Sequence, residues 1–447
     1  MDKINPTVIV ILGATGDLFR KKLAFALLNL FILGQLPKFF RIVGFSRRSW
    51  KDEKFRNFFA ETLGEKIAYI PSDIFKKFIE SVFYVEGDLD NLSSYQKMAG
   101  ILERFDANAG VCANKLFYLA TPPTYYETIL KNISDSGLAI PCAPSKSGEE
   151  AGWTRILIEK PFGSDLENAR RLDLMLGKLF SESQIFRIDH YLAKETLRNI
   201  LNFRFAKGQF KGLWNREHIE KVEIKLFESG GINGRGAFYD ALGALRDVGQ
   251  NHALQMLALV AMDEPENFTE SHIRRNRAEI LKALELWPND SLPIRGQYEG
   301  FREESGIAPN SQTETYFKLR LTIPTERWRG VPFIIEAGKG LPESNTEIIL
   351  HFKKAYGAIC PPEALCENEK TIIFRIQPEA GSKDNSSKKS LGAYEKVLAD
   401  AILGDQTLFT STDEVIAEWN IITPILKGWQ NAPLVKYTKG TMPGTGL

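Results

Sequence analysis

TVIVILGATGDL, residues 7–18, joins a short apolar run to a turn that carries two glycines. Residues 7–12 have the length and β-branched composition of a buried strand, and an apolar helical pattern runs from about Leu18 to Leu33. This order predicts a phosphate-binding turn, because bare backbone and a helix N-terminus both favour a pyrophosphate. The spacing is GxxG rather than GxGxxG, with Phe19 where a third glycine would stand, so an ordinary strand–helix turn is the alternative.

The rest of the chain predicts two kinds of sheet. Near-continuous apolar runs separated by helical patterns predict a parallel, doubly wound α/β sheet; after residues 7–12 they lie at 41–46, 82–86, 116–120 and 155–158. Later strand-like segments mostly lack crossover helices, which predicts a larger α+β domain with a mainly antiparallel sheet; they lie at 219–228, 313–323, 331–336, 347–353 and 371–377. We expect a long amphipathic helix at about 238–262 and two domains, 1–180 and 181–447.

The composition of the chain argues against nucleic acid, membranes and metals as partners. Hydrophobic residues at 43% and charged residues at 25% are ordinary for a globular protein, and a formal net charge of +1 favours neither nucleic acid nor an anionic membrane. No apolar run approaches the length of a membrane span. The four cysteines and five histidines show no metal-ligand spacing, so we expect a reducing, cytoplasmic location and no metal.

The end of the second predicted strand bears on cofactor choice. Ser46-Arg47-Arg48 stands where a free ribose 2′-OH would usually meet an acidic residue, whereas a 2′-phosphate needs a basic one. The pattern therefore favours NADP over NAD, with Arg47 as the contact; a solvated arginine pair is the alternative.

The ends of the fourth and fifth strands should also face a ligand, because in open parallel sheets the crevice lies beyond the carboxyl ends. These ends read ATPP at 120–123 and EKPFG at 159–163. We expect Lys160 to lie near both cofactor and substrate, or else on the surface of a simple turn. Sequence does not decide whether the Lys160–Pro161 bond is cis.

RIDHYLAKE, residues 187–195, concentrates charged side chains. If the stretch is helical, His190 and Lys194 share a face with Tyr191 beside them, and this group can receive a phosphate. Asp189 then points about 100° away from His190 and can serve another partner. A solvated charged face is the alternative.

His252 is the candidate general base. On a 100° wheel it falls in an apolar stripe of the long helix, where burial would keep the imidazole neutral; the stripe comprises Leu245, Val248, Met256 and Leu259. Asp247 lies about 140° around that wheel, so Asp189 is the better carboxylate partner. A satisfied core histidine is the alternative.

Two further charged residues stand out. Glu228 ends the apolar face of the strand at 219–228, where a lone carboxylate is costly unless it is used. Lys339 lies between Gly338 and Gly340, where bare backbone allows close approach of a ligand. Ordinary charge at a loop edge is the alternative for both.

Together these motifs closely resemble the glucose-6-phosphate dehydrogenase family over nearly the whole chain. The most specific are RIDHYLAKE (187–195) and RDVGQNHALQ (246–255); the others are LGATGDLFRKKL (12–23), GFSRR (44–48), FYLATPP (117–123), EKPFG (159–163), EAGKGL (336–341) and RIQP (375–378). The resemblance implies a Rossmann domain plus an α+β domain that dimerises through its sheet, as a homodimer or dimer of dimers. It also implies NADP-linked oxidation of β-D-glucose 6-phosphate to 6-phosphoglucono-1,5-lactone, the first step of the oxidative pentose phosphate pathway.

The resemblance also implies roles for single residues. His252 would be the base and Asp189 its partner. The substrate phosphate would be held by His190, Tyr191 and Lys194, and the sugar hydroxyls or phosphate by Glu228, Asp247 and Lys339, with Lys160 near both ligands. NADP would bind Gly13, Ala14, Thr15, Gly16, Asp17, Leu18, Arg47, Asp88, Leu89 and Lys160.

The chain departs from the family pattern at three positions. Ser344 stands where a basic residue usually follows the EAGK lysine, and Ser411 replaces the arginine of the LFxRxDE segment. Ile349 occupies one position of the second, structural NADP site of animal enzymes, so we predict a single cofactor site. The alternatives for function are another NADP-linked sugar oxidoreductase, of the Gfo/Idh/MocA type, and a non-catalytic NADP-binding sensor.

Overall fold

The computed structural model describes residues 6–141, 152–205, 210, 212–232, 234–288, 293–355, 364–368, 370–377 and 391–444. The described residues form two compact units. The first comprises those within 1–162, 170–190 and 390–410, and the second those within 163–169, 191–389 and 411–447. The division at residues 180 and 181 remains a prediction, and it does not include the return of 390–410 to the first unit.

The first unit contains a parallel sheet. Its six strands in the described residues are β1 (Thr7–Leu12), β2 (Phe40–Ser46), β3 (Val82–Glu86), β4 (Asn114–Leu119), β5 (Thr154–Glu159) and β6 (Ile185–Ile188). Their order is β3-β2-β1-β4-β5-β6, and every neighbouring pair is parallel. This is the 3-2-1-4-5-6 order of dinucleotide-binding doubly wound folds, so the predicted fold class is confirmed. Strand β6 was not among the predicted strands.

The second unit contains a mixed sheet. Its nine strands in the described residues are β7 (Ile219–Glu228), β8 (Glu285–Leu286), β9 (Ile294–Tyr298), β10 (Tyr316–Thr322), β11 (Phe333–Lys339), β12 (Asn345–Phe352), β13 (Leu365–Asn368), β14 (Thr371–Gln377) and β15 (Val435–Tyr437). The order is β13-β14-β12-β7-β11-β10-β9-β15, with β8 paired to β10. Only β7–β11 and β9–β15 are parallel among these described pairs, which confirms a mainly antiparallel sheet.

Helices fill the remaining described segments. The α-helices are α1 (Ala24–Ile32), α2 (Asp52–Leu63), α3 (Ser72–Glu80), α4 (Leu92–Ala109), α5 (Tyr126–Asp135), α6 (Leu166–Leu179), α7 (Glu195–Phe205), α8 (Gly236–Ala244), α9 (Leu254–Ala261), α10 (Glu270–Lys282), α11 (Ala393–Leu403) and α12 (Thr412–Gly428). Two π-helices span Phe19–Leu23 and Leu245–Ala253, and short 3₁₀ helices span Gly64–Tyr69, Pro123–Tyr125, Glu182–Gln184 and Phe301–Glu303.

The predicted continuous helix at 238–262 is wrong. Gly243, at φ 75°, ends the first helical segment, and a π-helix separates α8 from α9. The Glu314 carboxylate accepts a hydrogen bond from the Leu245 N–H at 2.9 Å, which supports the start of the π-helix. Hydrogen bonds from i to i+5 widen each turn, so the 100° wheel used for His252 and Asp247 does not describe this segment.

The cysteines do not support the expected reducing compartment. Cys112 and Cys366, the two cysteines that the structure describes, are disulfide-bonded, and disulfides are rare in reducing compartments. Cys142 and Cys360 lie outside the described residues. Spacing along the chain could not reveal this, because pairing depends on distance in space.

The helices and the potential ligand side chains of the described residues bear on membranes and metals. None of their helices has the length and apolar character needed to cross a bilayer. No group of three or more histidine, cysteine, aspartate or glutamate residues among them could hold a metal ion.

Candidate active site

The glycine turn lines a cavity at the carboxyl ends of the parallel strands. The cavity has a volume of about 380 Å³ and is lined by Gly13, Thr15, Gly16, Ser46, Arg47, Arg48, Leu89, Ala120, Thr121, Pro122 and Tyr125. Gly13 has φ +86°, and a Cβ there would come within 2.5 Å of the Ala120 carbonyl oxygen. Only glycine therefore fits this turn, and its bare backbone forms one wall of the cavity.

The predicted cofactor residues fall into two groups. Gly13, Thr15, Gly16, Arg47 and Leu89 line the cavity, whereas Ala14, Asp17, Leu18, Asp88 and Lys160 are not among its described lining residues. The sequence analysis placed Ser46-Arg47-Arg48 at the cofactor but assigned the contact to Arg47 alone, and it missed Tyr125. A tyrosine two residues after the ATPP segment was the available signal for Tyr125.

Asp17 lies at the start of the helix that follows the glycine turn. Its carboxylate is exposed and accepts a hydrogen bond from Lys21 Nζ at 3.0 Å. That hydrogen bond and the Lys21 charge lower the Asp17 pKa. Asp17 therefore belongs to the first helical turn, where acidic side chains complement the helix dipole.

The end of β2 fits a 2′-phosphate. Arg47 and Arg48 are exposed and both line the cavity, and its described lining includes no carboxylate. The Ser46 hydroxyl bonds the Tyr84 hydroxyl at 2.8 Å, and that tyrosine donates to the Arg48 carbonyl at 2.6 Å. These bonds fix the strand end from which the two guanidinium groups project.

The charged stretch 187–195 is not a helix. Strand β6 ends at Ile188, a turn follows, and α7 begins only at Glu195. The Lys194 N–H bonds the Tyr191 carbonyl at 2.9 Å within that turn. The shared helical face predicted for His190 and Lys194 is therefore wrong, and so is the 100° angle predicted for Asp189. The physical reason is that Ile185–Ile188 complete the parallel sheet beside β5.

Asp189 and His190 belong to the first unit. Asp189 follows β6 directly at the carboxyl end of the sheet and is 3% exposed. The His190 ring stacks on Tyr394 of α11, with centroids 6.4 Å apart and planes 14° apart. Both side chains thus lie at the sheet edge where doubly wound folds bind ligands.

Tyr191, Lys194 and His252 contact one another in the second unit. The rings of Tyr191 and His252 have centroids 4.3 Å apart, and Lys194 Nζ lies 4.5 Å from the Tyr191 centroid. Lys194 also donates to Gln377 Oε1 at 2.7 Å. His252 is 1% exposed, but its ring meets a phenol rather than aliphatic side chains alone. The pairing of His252 with Asp189 stays a prediction.

A second charged cluster lies in the same unit. Lys339 and Glu228 are parallel partners at the ends of β11 and β7, and Lys339 Nζ lies 2.6 Å from Glu228 Oε1. The same ammonium lies 3.9 Å from Asp247 Oδ2 on the π-helix. Because the Lys339 side chain is only 4% exposed, charge at a loop edge does not describe it. Tyr239, whose ring centroid lies 5.4 Å from Lys339 Nζ, was missed by sequence reasoning.

Lys160 follows β5 and is partly buried, and its bond to Pro161 is cis. The preceding Glu159 carboxylate accepts a 2.5 Å hydrogen bond from the Tyr118 hydroxyl. Burial raises the Glu159 pKa to about 7, against the opposing effects of the Tyr118 hydrogen bond and the Lys160 charge. Sequence reasoning quoted this motif for Lys160 and missed Glu159.

Comparisons with known proteins show which protein family the chain is similar to. The family model described as "Glucose-6-phosphate dehydrogenase, NAD binding domain" matches residues 10–199, and "Glucose-6-phosphate dehydrogenase, C-terminal domain" matches 201–392 and 380–446. The glucose-6-phosphate 1-dehydrogenase of Chlamydia muridarum is 38% identical over 466 residues, covering 95% of this chain and 90% of that protein.

The chain belongs to the glucose-6-phosphate dehydrogenase family.

Two further proteins agree with this placement. Cytoplasmic glucose-6-phosphate 1-dehydrogenase 6 of Arabidopsis thaliana is 37% identical, covering 94% of this chain and 85% of that protein. A solved glucose-6-phosphate dehydrogenase in complex with its substrate glucose 6-phosphate is 30% identical, with a TM-score of 0.87. The match covers 100% of this chain and 97% of that chain. The resemblance drawn from the motifs is therefore confirmed.

The structure explains one departure from the family pattern and locates another. Ser411 is the N-cap of α12, where its hydroxyl and the Glu414 carboxylate form a capping box. Ser344 lies beside the Lys339 cluster, since its Oγ accepts a hydrogen bond from the N–H of Ser229 at 2.8 Å.

Proposed function

We propose that this glucose-6-phosphate dehydrogenase family member oxidises β-D-glucose 6-phosphate to 6-phosphoglucono-1,5-lactone with NADP⁺, the first step of the oxidative pentose phosphate pathway. Family membership supports the reaction and the cofactor. The observation that carries the mechanism is the contact of a buried imidazole, His252, with Tyr191, whose ring also meets the Lys194 ammonium. A base and an anion-binding group thus stand side by side.

His252 is the proposed general base. The C1 hydroxyl must lose its proton as the C1–H bond breaks, and an imidazole is suited to accept that proton near neutral pH. Asp189 is the proposed partner that fixes the tautomer of His252 and stabilises the imidazolium. NADP⁺, when bound, supplies the hydride acceptor.

Charged side chains are proposed to hold the sugar phosphate. His190, Tyr191 and Lys194 would bind the phosphate, and Glu228, Asp247 and Lys339 the sugar hydroxyls or phosphate. Because the phosphate is remote from C1, its binding energy can position the reacting carbon against the base. Lys160 is proposed to lie near both ligands.

The cavity beside the glycine turn after β1 is the proposed NADP site. We propose that Gly13, Ala14, Thr15, Gly16, Asp17 and Leu18 hold the pyrophosphate end, and that Arg47 meets the 2′-phosphate, with Asp88, Leu89 and Lys160 completing the site. The support is the glycine wall of the cavity and the exposed arginines at its rim. A single such site is proposed.

Assembly and location are also proposals. We propose a homodimer or dimer of dimers that binds neither nucleic acid nor membrane, located in the cytoplasm. The name of the Arabidopsis relative supports that location, whereas the disulfides of Cys112 and Cys366 count against it. Thiol titration of protein released from cells under trapping conditions would decide: disulfides at both positions contradict a reducing cytosol.

Initial rates test the reaction. NADPH production should be fast with glucose 6-phosphate and NADP⁺, and slow when glucose replaces the phosphosugar or NAD⁺ replaces NADP⁺. Higher activity on glucose than on glucose 6-phosphate would favour another sugar oxidoreductase. Intact NADP⁺ binding without turnover would favour a sensor.

A further inference from the structure

Glu159 is held at two points at the end of β5. Its carboxylate accepts a 2.5 Å hydrogen bond from the hydroxyl of Tyr118, a fully buried residue of β4. Its main-chain carbonyl accepts a 3.1 Å hydrogen bond from the hydroxyl of Tyr126 on α5. The peptide that leads to Lys160 is therefore fixed through both the side chain and the backbone.

The surroundings of this carboxylate are unusually rich in groups that respond to its charge. Tyr118 of β4, Tyr126 of α5 and Tyr394 of α11 all have pKa values raised first by burial and then by the Glu159 charge. Within its own unit, Lys160 favours the ionised form of Glu159, while Asp189, which follows β6, opposes it. Such a cluster is more than a buried strand end requires.

We propose that Glu159 is a positioning residue whose carboxylate, anchored by Tyr118, holds the Lys160 ammonium in place for the sugar phosphate. The inference rests on the proposed function, in which Lys160 contacts the substrate. An ionised Glu159 attracts the Lys160 ammonium, whose charge in turn favours that ionised form, whereas a protonated Glu159 only keeps its hydrogen bond to Tyr118. Substrate affinity should therefore depend on the protonation of Glu159.

The first test compares Glu159→Gln with the wild type between pH 6 and pH 9. Glutamine keeps an acceptor for Tyr118 and removes the charge. The ratio of the variant KM for glucose 6-phosphate to the wild-type KM should rise from near one at pH 6 to about five- to tenfold at pH 8, with kcat changed less. The substrate phosphate ionises near pH 6 for both enzymes, so the ratio removes its effect. A ratio that does not change with pH overturns the proposal.

Tyr118→Phe provides a second, independent readout. Because the Tyr118 hydrogen bond favours the ionised carboxylate, its loss should move the inflection in KM to higher pH. A purely structural role would change KM without moving the inflection. Tyr316→Phe is the matched control, since its hydroxyl bonds the Glu336 carboxylate at 2.6 Å on neighbouring strands of the other unit. It should leave the inflection unchanged.

Thermal unfolding without ligands supplies a readout that needs no turnover. The Glu159 pKa is about 7 in the folded chain and near 4.5 when exposed, so the folded state binds the extra proton between these values. Wild-type Tm should consequently fall relative to Glu159→Gln as pH rises from about 4.5 to 7. If the wild type does not oxidise glucose 6-phosphate, the proposed function fails. If it does, and both variants keep wild-type pH behaviour, only the role of Glu159 fails.

Discussion

His252 occupies an enclosed position that suits a base. It is 1% exposed and lies in a π-helix, with its ring against Tyr191. If His252 is the proposed base, an imidazole this enclosed would accept its proton from a bound ligand rather than from bulk solvent. The role therefore concerns the chemical step more than binding.

The substitution His252→Asn should lower kcat by about 10²- to 10⁴-fold and leave the KM for glucose 6-phosphate nearly unchanged. Asparagine keeps a polar group of similar size but cannot accept the proton. Steady-state kinetics measure both constants, with His272→Asn as control, because the partly exposed His272 ring bonds the Thr269 hydroxyl at 2.7 Å and has no role in the proposed reaction. A large rise in KM at unchanged kcat would contradict the assignment.

Lys194→Ala should change the KM for glucose 6-phosphate more than kcat, the reverse of His252→Asn. The Lys194 ammonium lies 4.5 Å from the Tyr191 centroid and bonds Gln377, and it is the proposed ligand of the substrate phosphate. Removing one charged hydrogen bond to phosphate should raise the KM for glucose 6-phosphate by about tenfold or more, with a smaller change in kcat. Lys282→Ala, which removes an exposed ion pair with Asp413, is the control and should keep both constants. An unchanged KM in Lys194→Ala would remove this residue from the phosphate site.

Ser344 tests the departure from the family pattern. It is exposed and bonds Ser229, the neighbour of Glu228. Ser344→Arg should lower the KM for glucose 6-phosphate by about two- to fivefold, because an exposed cation is added near an anionic ligand. Ser344→Ala loses the same hydrogen bonds without adding charge, so it should not lower KM. If the two variants have the same KM for glucose 6-phosphate, residue 344 does not lie near the substrate phosphate.

At the scale of elements, local patterns predicted long segments well and the site turn poorly. The apolar runs that became β1, β2 and β4 were found because buried parallel strands are apolar throughout. Strand β6 has four residues and runs into a charged turn, so charges at helical spacing suggested a helix instead. The sequence therefore pointed to the charged residues of this turn but not to their arrangement.

The π-helix shows a second limit of periodicity. Apolar spacing at 245–259 is compatible with α-helical turns, and the wider turn depends on Gly243 and on Glu314, which is distant in sequence. Burial raises the Glu314 pKa, so the contact is a property of the packed unit and not of the helix sequence. No local pattern contains that information.

Gly243→Ala should destabilise this element and impair catalysis. At φ 75° and ψ 166° the Gly243 backbone is in a region that is essentially restricted to glycine, so alanine there costs about 1–3 kcal/mol. Its Cβ would also lie 2.7 Å from the Glu314 carboxyl carbon, adding about 1–3 kcal/mol of overpacking. Gly330→Ala is the matched control, because its φ is +83° and nothing lies within 4 Å of the added Cβ. Denaturant unfolding should show the larger loss for Gly243→Ala, and only that variant should lose kcat. Equal losses of stability would mean that the Glu314 side chain moves away from the added Cβ at little energetic cost.

At the scale of the whole molecule, the two sheet types were predictable and the chain path was not. Segment 390–410 returns to the first unit, where Glu395 accepts a hydrogen bond from Asn29 at 3.2 Å and the Ala401 carbonyl accepts one from Arg155 at 2.7 Å. These partners are hundreds of residues apart in sequence. Composition and periodicity describe neighbours along the chain, so a contact of this kind leaves no signal in either.

The predicted dimer can be tested on the charged face of β7 in the second sheet. In β7, buried Val222 and Ile224 alternate with the half-buried Glu223, which lies 3.0 Å from Lys221 Nζ and 2.8 Å from His351 Nε2. Charged residues of both signs on one face of a sheet can form ion pairs across an interface. Making that face uniformly positive should therefore weaken the interface, because like charges repel. The His351 hydrogen bond lowers the Glu223 pKa to about 2, so this carboxylate is ionised at neutral pH.

Sedimentation equilibrium at neutral pH should give a mass of two chains of 50.4 kDa each, or of four if two dimers associate, and Glu223→Lys should shift the mass toward one chain. The substitution replaces a carboxylate with an ammonium beside Lys221 on the proposed interface, which like-charge repulsion disfavours. Glu285→Lys, on the exposed strand β8, makes the same charge change away from this face and should stay dimeric. Circular dichroism should show that both variants are folded. A wild type that sediments as one chain at all concentrations argues against the dimer, and a dimeric Glu223→Lys argues for a different interface.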